Sequence, residues 1–173
     1  MCRVFYKFVD FDKGISPKEK RRISKTAAYD LLFSAAKLLG YVIDETEIAR
    51  SEKGKPYVKN GALYFSISHC QNFVCVALSD SEIGIDAQGI GDVDPKIVER
   101  FMKKTPVDDI SNTYLWTDYE AIGKYFGVGI PHSIACGDDI RVSRFRVEDF
   151  CISVCHTVKD ICERPETIIS VNE

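Results

Sequence analysis

Apolar and polar positions along the chain fall into short blocks, each with its own period. RVFYKFV, near the N-terminus, is strand-like. In SPKEKRRISKTAAYDLLFSAAKLLG, Ile23, Ala27, Leu31, Ala35 and Leu38 form a helical apolar stripe. Lys18, Lys20, Arg21, Arg22 and Lys25 occupy the opposite face of its first turns. Ser16 suits the N-cap, Pro17 the first helical position, and Glu19 completes a capping box. Gly40 stops the helix. A loop containing KGKPYV follows, and then ALYFSISHC, strand-like up to Ile67. FVCVALS and EIGID are β-rich runs joined at Asp80-Ser81, which predicts a hairpin whose second strand ends on Asp86. A second helix begins with Asp94 as N-cap and Pro95 at N1, with Ile97, Val98, Phe101 and Met102 on its apolar side. NTYLWTDYEAIGKYFG predicts a third helix ended by Gly127. IRVSRFRV, FCISVCH and TIISV predict three closing strands.

This order is that of an α+β protein whose halves share one rough plan. The 173 residues fit a single domain, residues 1–173, in two lobes of roughly 1–85 and 86–173. Hydrophobic content of 45% beside 28% charge is globular. The net charge of −3 argues against a nucleic-acid binder and still permits a local basic pocket. No apolar run reaches membrane-spanning length, and MCRVFYKFVDFDKG lacks the apolar core of a secretory signal. A cytoplasmic location, with no membrane or nucleic-acid partner, is the expectation. The seven cysteines include no CxxC, and their spacing with His69 and His156 matches no common zinc module. Buried reduced thiols fit better.

Chemistry concentrates in two places. Trp116, Glu120 and Lys124 recur every four residues and so share one helix face. Alone they describe a solvated Glu-Lys pair beside a core tryptophan, and Asp86 alone an acid closing a strand. Together, two carboxylates with a lysine one turn on can hold magnesium against a pyrophosphate. FSISHC adds Ser66, Ser68 and His69, either a polar strand end or a phosphate site.

Four blocks in order carry a resemblance: Gly54-Lys55-Pro56, Phe65-Ser66-Ile67-Ser68-His69, Gly84-Ile85-Asp86, and Trp116-Thr117-Asp118-Tyr119-Glu120-Ala121 with Lys124. The chain resembles the 4'-phosphopantetheinyl transferases of the surfactin-synthetase-activating type. Their pattern runs GKP, F-N-(I/L)-S-H-S, (I/V)-G-(I/V)-D-x-E and W-x-x-K-E-A-x-x-K. The match covers residues 16 to 126, in a chain shorter than typical members. The resemblance implies a pseudo-twofold arrangement of two α/β lobes with coenzyme A and Mg2+ between them. It implies transfer of the phosphopantetheine arm to a serine of an apo acyl or peptidyl carrier protein, releasing 3',5'-ADP, that is, holo-acyl-carrier-protein synthase chemistry. A monomer is the default for single-chain members.

By the same resemblance, Asp86 and Glu120 are metal ligands, and Glu120 also helps deprotonate the attacking serine. Lys124 steadies the transferring phosphoryl group. Ser68 and His69 hold the 3'-phosphate, and Lys55 with Gly54 and Pro56 lines the nucleotide side. Arg22 and Lys25 lie where the family has basic residues reaching phosphates. The region from Asp92 to Asn112, with Phe101 and Met102 among Arg100, Lys103 and Lys104, lies where the family docks its carrier. Three positions depart from the pattern. Gln88 replaces the second acid of D-x-E, Tyr119 the lysine before the helix glutamate, and Ser66 an asparagine. Gln88 can still offer an oxygen to a metal or a metal-bound water, with one negative charge fewer. These departures also motivate a rival, a coenzyme A-binding homologue without turnover.

Overall fold

The computed structural model describes residues 1–129 and 138–167. In chain order it contains β1 (Arg3–Phe8), α1 (Pro17–Leu38), β2 (Ile48–Arg50), β3 (Pro56–Val58), β4 (Tyr64–Cys70), β5 (Phe73–Ser79), β6 (Gly84–Gly89), α2 (Pro95–Met102), α3 (Asp109–Phe126), β7 (Ile140–Val147), β8 (Phe150–Thr157) and β9 (Glu166–Thr167). The strands form sheets of order β4-β5-β1-β9, β2-β3 and β6-β8-β7. The fold is α+β, as expected. The TIISV strand lies, after Thr167, outside the described residues.

The apolar run FVCVALS is buried along its whole length because both faces of β5 are covered. Val74, Val76 and Leu78 pack with Phe5, Phe65 and the Ala28, Leu31, Leu32 and Ala35 face of α1. Phe73, Cys75 and Ala77 face the other way, against Ile85 and Ala87 of β6 and Ile152 and Val154 of β8. Beyond that second sheet, Ala121 and Ile122 of α3 pack on Cys155. The layers therefore run α1, first sheet, second sheet, α3.

Helix ends follow their local signals. The Ser16 side chain accepts from the Glu19 amide at 3.2 Å. The reciprocal half of the expected capping box does not form, because the Glu19 carboxylate pairs with Arg22 at 2.7 Å. Gly40, at φ +85°, closes α1 with bonds from its own amide to Lys37 O and from the Tyr41 amide to Ala36 O. Leu38 of the expected stripe is 64% exposed. Leu39 and Tyr41 cover that end of the core instead.

Two strand expectations are corrected. The runs meeting at Asp80-Ser81 are not a hairpin. β5 pairs with β4 across a tight turn at Gln71-Asn72, whereas β6 pairs with β8 in the other sheet. Residues 80–83 carry the chain between sheets, because the apolar residues of β6 are needed opposite those of β5. Nor does the strand end on Asp86. It continues to Gly89, with Gln88 opposite Cys151 and Gly89 opposite Phe150, so Asp86 sits in mid-strand. KGKPYV also belongs partly to a two-stranded ribbon, β2 with β3.

Candidate functional site

The site is assembled where β6, β4 and α3 meet. Ile85 and Ala87 of β6 face the inter-sheet core, so Gly84, Asp86 and Gln88 face α3. Gly84 makes the close approach possible. A Cβ there would lie 2.0 Å from Ala121 O and 2.5 Å from Tyr125 N. Further along, α3 is pinned by a polar network that runs from a buried centre to the surface. Thr117 Oγ1 and Ser153 Oγ lie 2.7 Å apart, Ser153 Oγ donates to Asp118 Oδ1 at 2.6 Å, and Arg144 Nε donates to Asp118 Oδ2 at 3.1 Å.

Asp86 is 3% exposed, and its two oxygens differ. Oδ1 accepts from Lys124 Nζ at 2.7 Å and from Ser68 Oγ at 2.8 Å. Oδ2 is buried with no hydrogen-bond partner among the described residues. An unsatisfied buried carboxylate oxygen is costly in a folded protein, and such an atom calls for an explanation. Glu120, one turn before Lys124, faces the same space. Burial raises its carboxyl above the ordinary value, the charge of Asp86 adds to that, and Lys124 opposes it. Two carboxylates close enough to repel, one with a bare oxygen, make a donor set suited to a hard divalent cation. Among the described residues no three His, Cys, Asp or Glu side chains converge as a metal cluster. A hard cation such as magnesium needs only one or two protein carboxylates, with phosphate and water completing its shell. Gln88, half-buried on the same face of β6, adds a neutral amide oxygen.

The remaining expected residues divide into groups. Gly54, Lys55 and Pro56 line a cavity of about 300 Å³ together with Ser66, Glu120 and Lys124, so the first and last motifs meet there. Within it the Lys55 ammonium is already engaged. It pairs with Glu82 and donates to Ile83 O at 3.1 Å and Tyr125 O at 3.0 Å. It ties the loop to β6 and to the end of α3. Ser68 is likewise engaged, since its hydroxyl donates to Asp86 and accepts from the Ala87 amide at 3.2 Å. With Ser66, which accepts from the Ile85 amide at 3.1 Å, it satisfies the open edge of β6. His69 points to the other face of β4 and is exposed. Partial burial lowers its proton affinity, as do the nearby charges of Lys124 and Arg21. Arg22 and Lys25 line a second cavity, of about 430 Å³, with Tyr29 and Arg50. Arg50 donates to Gly54 O at 2.8 Å, which ties the lining of this cavity to the turn before Lys55 that lines the first.

Sequence reasoning missed Arg21 beside His69, Arg50 at the turn, and the orienting role of Ser68. The close packing at Gly84, by contrast, had a signal, a glycine inside an apolar strand pattern. Trp116 is half-buried, stacks on Tyr119 at 6.4 Å and meets the edge of Phe101 at 6.3 Å. Phe101 and Met102 are partly exposed on α2. Among the described residues no helix is long and apolar enough to cross a membrane.

No family model matches the chain. It is similar to the 4'-phosphopantetheinyl transferase gsp of Aneurinibacillus migulanus, 35% identical over 72 residues, which is 42% of this chain and 27% of that protein. It is also similar to the 4'-phosphopantetheinyl transferase psf-1 of Bacillus pumilus, 30% identical over 105 residues, 54% of this chain and 43% of that one. The matched parts thus span less than half of either curated relative. The resemblance seen in the motifs extends to relatives of that name.

Proposed function

We propose that this chain transfers the 4'-phosphopantetheine arm of coenzyme A to a serine of an apo acyl or peptidyl carrier protein, with Mg2+, releasing 3',5'-ADP. The observation that carries this reading is the bare Oδ2 of Asp86, close enough to Glu120 for the two charges to act on each other, while Lys124 holds Oδ1. The names of the two relatives supply the reaction class. The two sheets, each backed by a long helix, support a pseudo-twofold pair of lobes with the cleft between them.

Asp86 Oδ2 and Glu120 would hold the metal, with Gln88 lending an oxygen directly or through water. When bound, magnesium neutralises charge on the pyrophosphate and makes its phosphorus more electrophilic. Glu120, its basicity raised by burial, takes the proton of the carrier serine directly or through water. The serine Oγ–P bond forms as the P–O bond to 3',5'-ADP breaks, and Glu120 returns its proton to solvent. Lys124 shares its ammonium between Asp86 and the transferring phosphoryl group, where a preorganised cation counts most. His69, beside Arg21 and Lys124, suits the 3'-phosphate, with Arg22 and Lys25 as further cations along the nucleotide side. Ser68 contributes by presenting Asp86, and Lys55 by fixing the loop whose Gly54 and Pro56 line the cleft.

The test is mass spectrometry of a panel of apo carriers incubated with the chain, coenzyme A and magnesium. The expected result is gain of one phosphopantetheine arm on a carrier, with release of 3',5'-ADP. Coenzyme A binding without transfer to any carrier would replace the enzyme with a binding homologue. Absence of both would end the proposal.

A further inference from the structure

A second reactive arrangement lies outside the candidate site. Cys2 and Cys162, separated by 160 positions in the chain, have their Sγ atoms 3.0 Å apart. They face each other across a parallel β-bridge, with the Cys2 amide donating to Ile161 O at 3.0 Å and the Glu163 amide to Cys2 O at 3.1 Å. Ion pairs hold the same seam. The Met1 amino group pairs with Asp160 at 3.0 Å, and Arg3 with Glu163 at 2.9 Å and Glu166 at 2.6 Å. The two thiols are therefore held in register by backbone and charge. Cys2 is fully buried, whereas Cys162 is partly exposed.

We propose that Cys2 and Cys162 form a thiol–disulfide exchange site whose substrate is a low-molecular-weight disulfide of the glutathione type. The Cys162 thiolate attacks the small disulfide, forms a mixed disulfide and releases one small thiol. The Cys2 sulfur, deprotonated as it reacts, then attacks the Cys162 sulfur and releases the second small thiol. Two protein thiols become one disulfide, and one small disulfide becomes two small thiols. Adjacency and accessibility assign the roles, since the attacking group must meet solvent and the resolving group must already lie beside it. Burial and the contact with Cys162 both raise the Cys2 thiol, which agrees with its role as the second nucleophile. The bond would link β1 to the segment that returns from β8 to β9, pinning that return to the first sheet. It depends in no way on the proposed transferase chemistry.

The experiment treats the full chain with oxidised glutathione, blocks the remaining thiols with N-ethylmaleimide and maps linked peptides by mass spectrometry. The expected product is a Cys2–Cys162 linkage, a mass loss of about 2 Da and reversal by reduced glutathione. Its thermal midpoint should rise by roughly 10–20 °C, because the bond closes a very long loop. Cys162→Ser should abolish the linkage, and Cys70→Ser should leave it intact. Cys2→Ala should stop the reaction at glutathionylated Cys162. Because Cys2 is buried, circular dichroism must first show that this variant is folded, and Cys162→Ser provides the decisive comparison otherwise. A mixed disulfide that persists on Cys162 in the folded wild-type chain, or random linkage among the cysteines, would overturn the proposal.

Discussion

Replacing Gly84 by alanine tests how the site is built. A Cβ at this position would sit 2.0 Å from Ala121 O and 2.5 Å from Tyr125 N, both backbone atoms of α3. Ordinary contact begins near 3.4 Å, so α3 and β6 must separate by about 1.4 Å along that direction. No rotamer can relieve the clash, because the obstacle is main chain. Overpacking of this kind costs about 3 kcal/mol, at the upper end of the usual range, and lowers the thermal midpoint by roughly 6–12 °C. The displacement also draws Glu120 and Lys124 away from Asp86, whose contact with Lys124 is now 2.7 Å. Misplacement by about 1 Å can cost on the order of 100-fold in turnover. Gly89→Ala is the control. Its Cβ would come within 2.6 Å of Asp92 Oδ2 and 2.8 Å of Gln71 Nε2, both ends of exposed side chains that can swing aside. Urea denaturation followed by circular dichroism compares the two variants with wild type. If Gly84→Ala costs no more stability than Gly89→Ala, the close approach does not fix the site.

Further outcomes follow from the same geometry. Asp86→Ala and Glu120→Ala should each lower kcat/KM by orders of magnitude while Gln88→Ala costs far less, and Gln88→Glu should lower the magnesium concentration for half-maximal rate; equal damage from Gln88→Ala and Asp86→Ala would refute the two-carboxylate arrangement. Ser68→Ala removes a donor to Asp86 Oδ1, so it should weaken manganese binding by about 10–100-fold with little change in fold, Ser68→Thr should restore part of it, and calorimetry reads both. Glu120 is protonated in folded and unfolded chains below its ordinary value of 4.5; as pH rises from there towards its raised folded value the unfolded chain ionises first, so stability is lost. Without divalent ions, Glu120→Gln should therefore melt higher than wild type near pH 8 and match it near pH 4, and a wild type that is more stable at pH 8 would contradict this. His69 has the opposite sign: its depressed folded value gives stability present above 6.5 and lost as pH falls through that folded value, and adding 3',5'-ADP should move its NMR titration upward, with an unmoved titration removing it from the phosphate site.

Much of this molecule is legible from its residues in order. The ends of α1, α2 and α3 are written by Ser16, Asp94, Gly40 and Gly127, because capping is a bargain struck within four or five residues. The i, i+4 spacing of Trp116, Glu120 and Lys124 puts them on one face of α3 whatever that helix packs against. Partnership across the fold is another matter. FVCVALS and EIGID look like neighbours, yet β6 joins β8, because an apolar strand records that it is buried and not what buries it. Ser68 and Lys55 read as free polar groups until the folded chain brings Asp86, Ala87, Glu82 and Tyr125 to them. Arg22 and Lys25 are basic in any reading, but only the folded chain brings Tyr29 and Arg50 beside them as the lining of one cavity. Asp86 is recognisable as an acid from its motif. That one of its oxygens is bonded twice and the other left bare was decided by tertiary structure, because the donors come from β4 and α3, elements distant in sequence from β6.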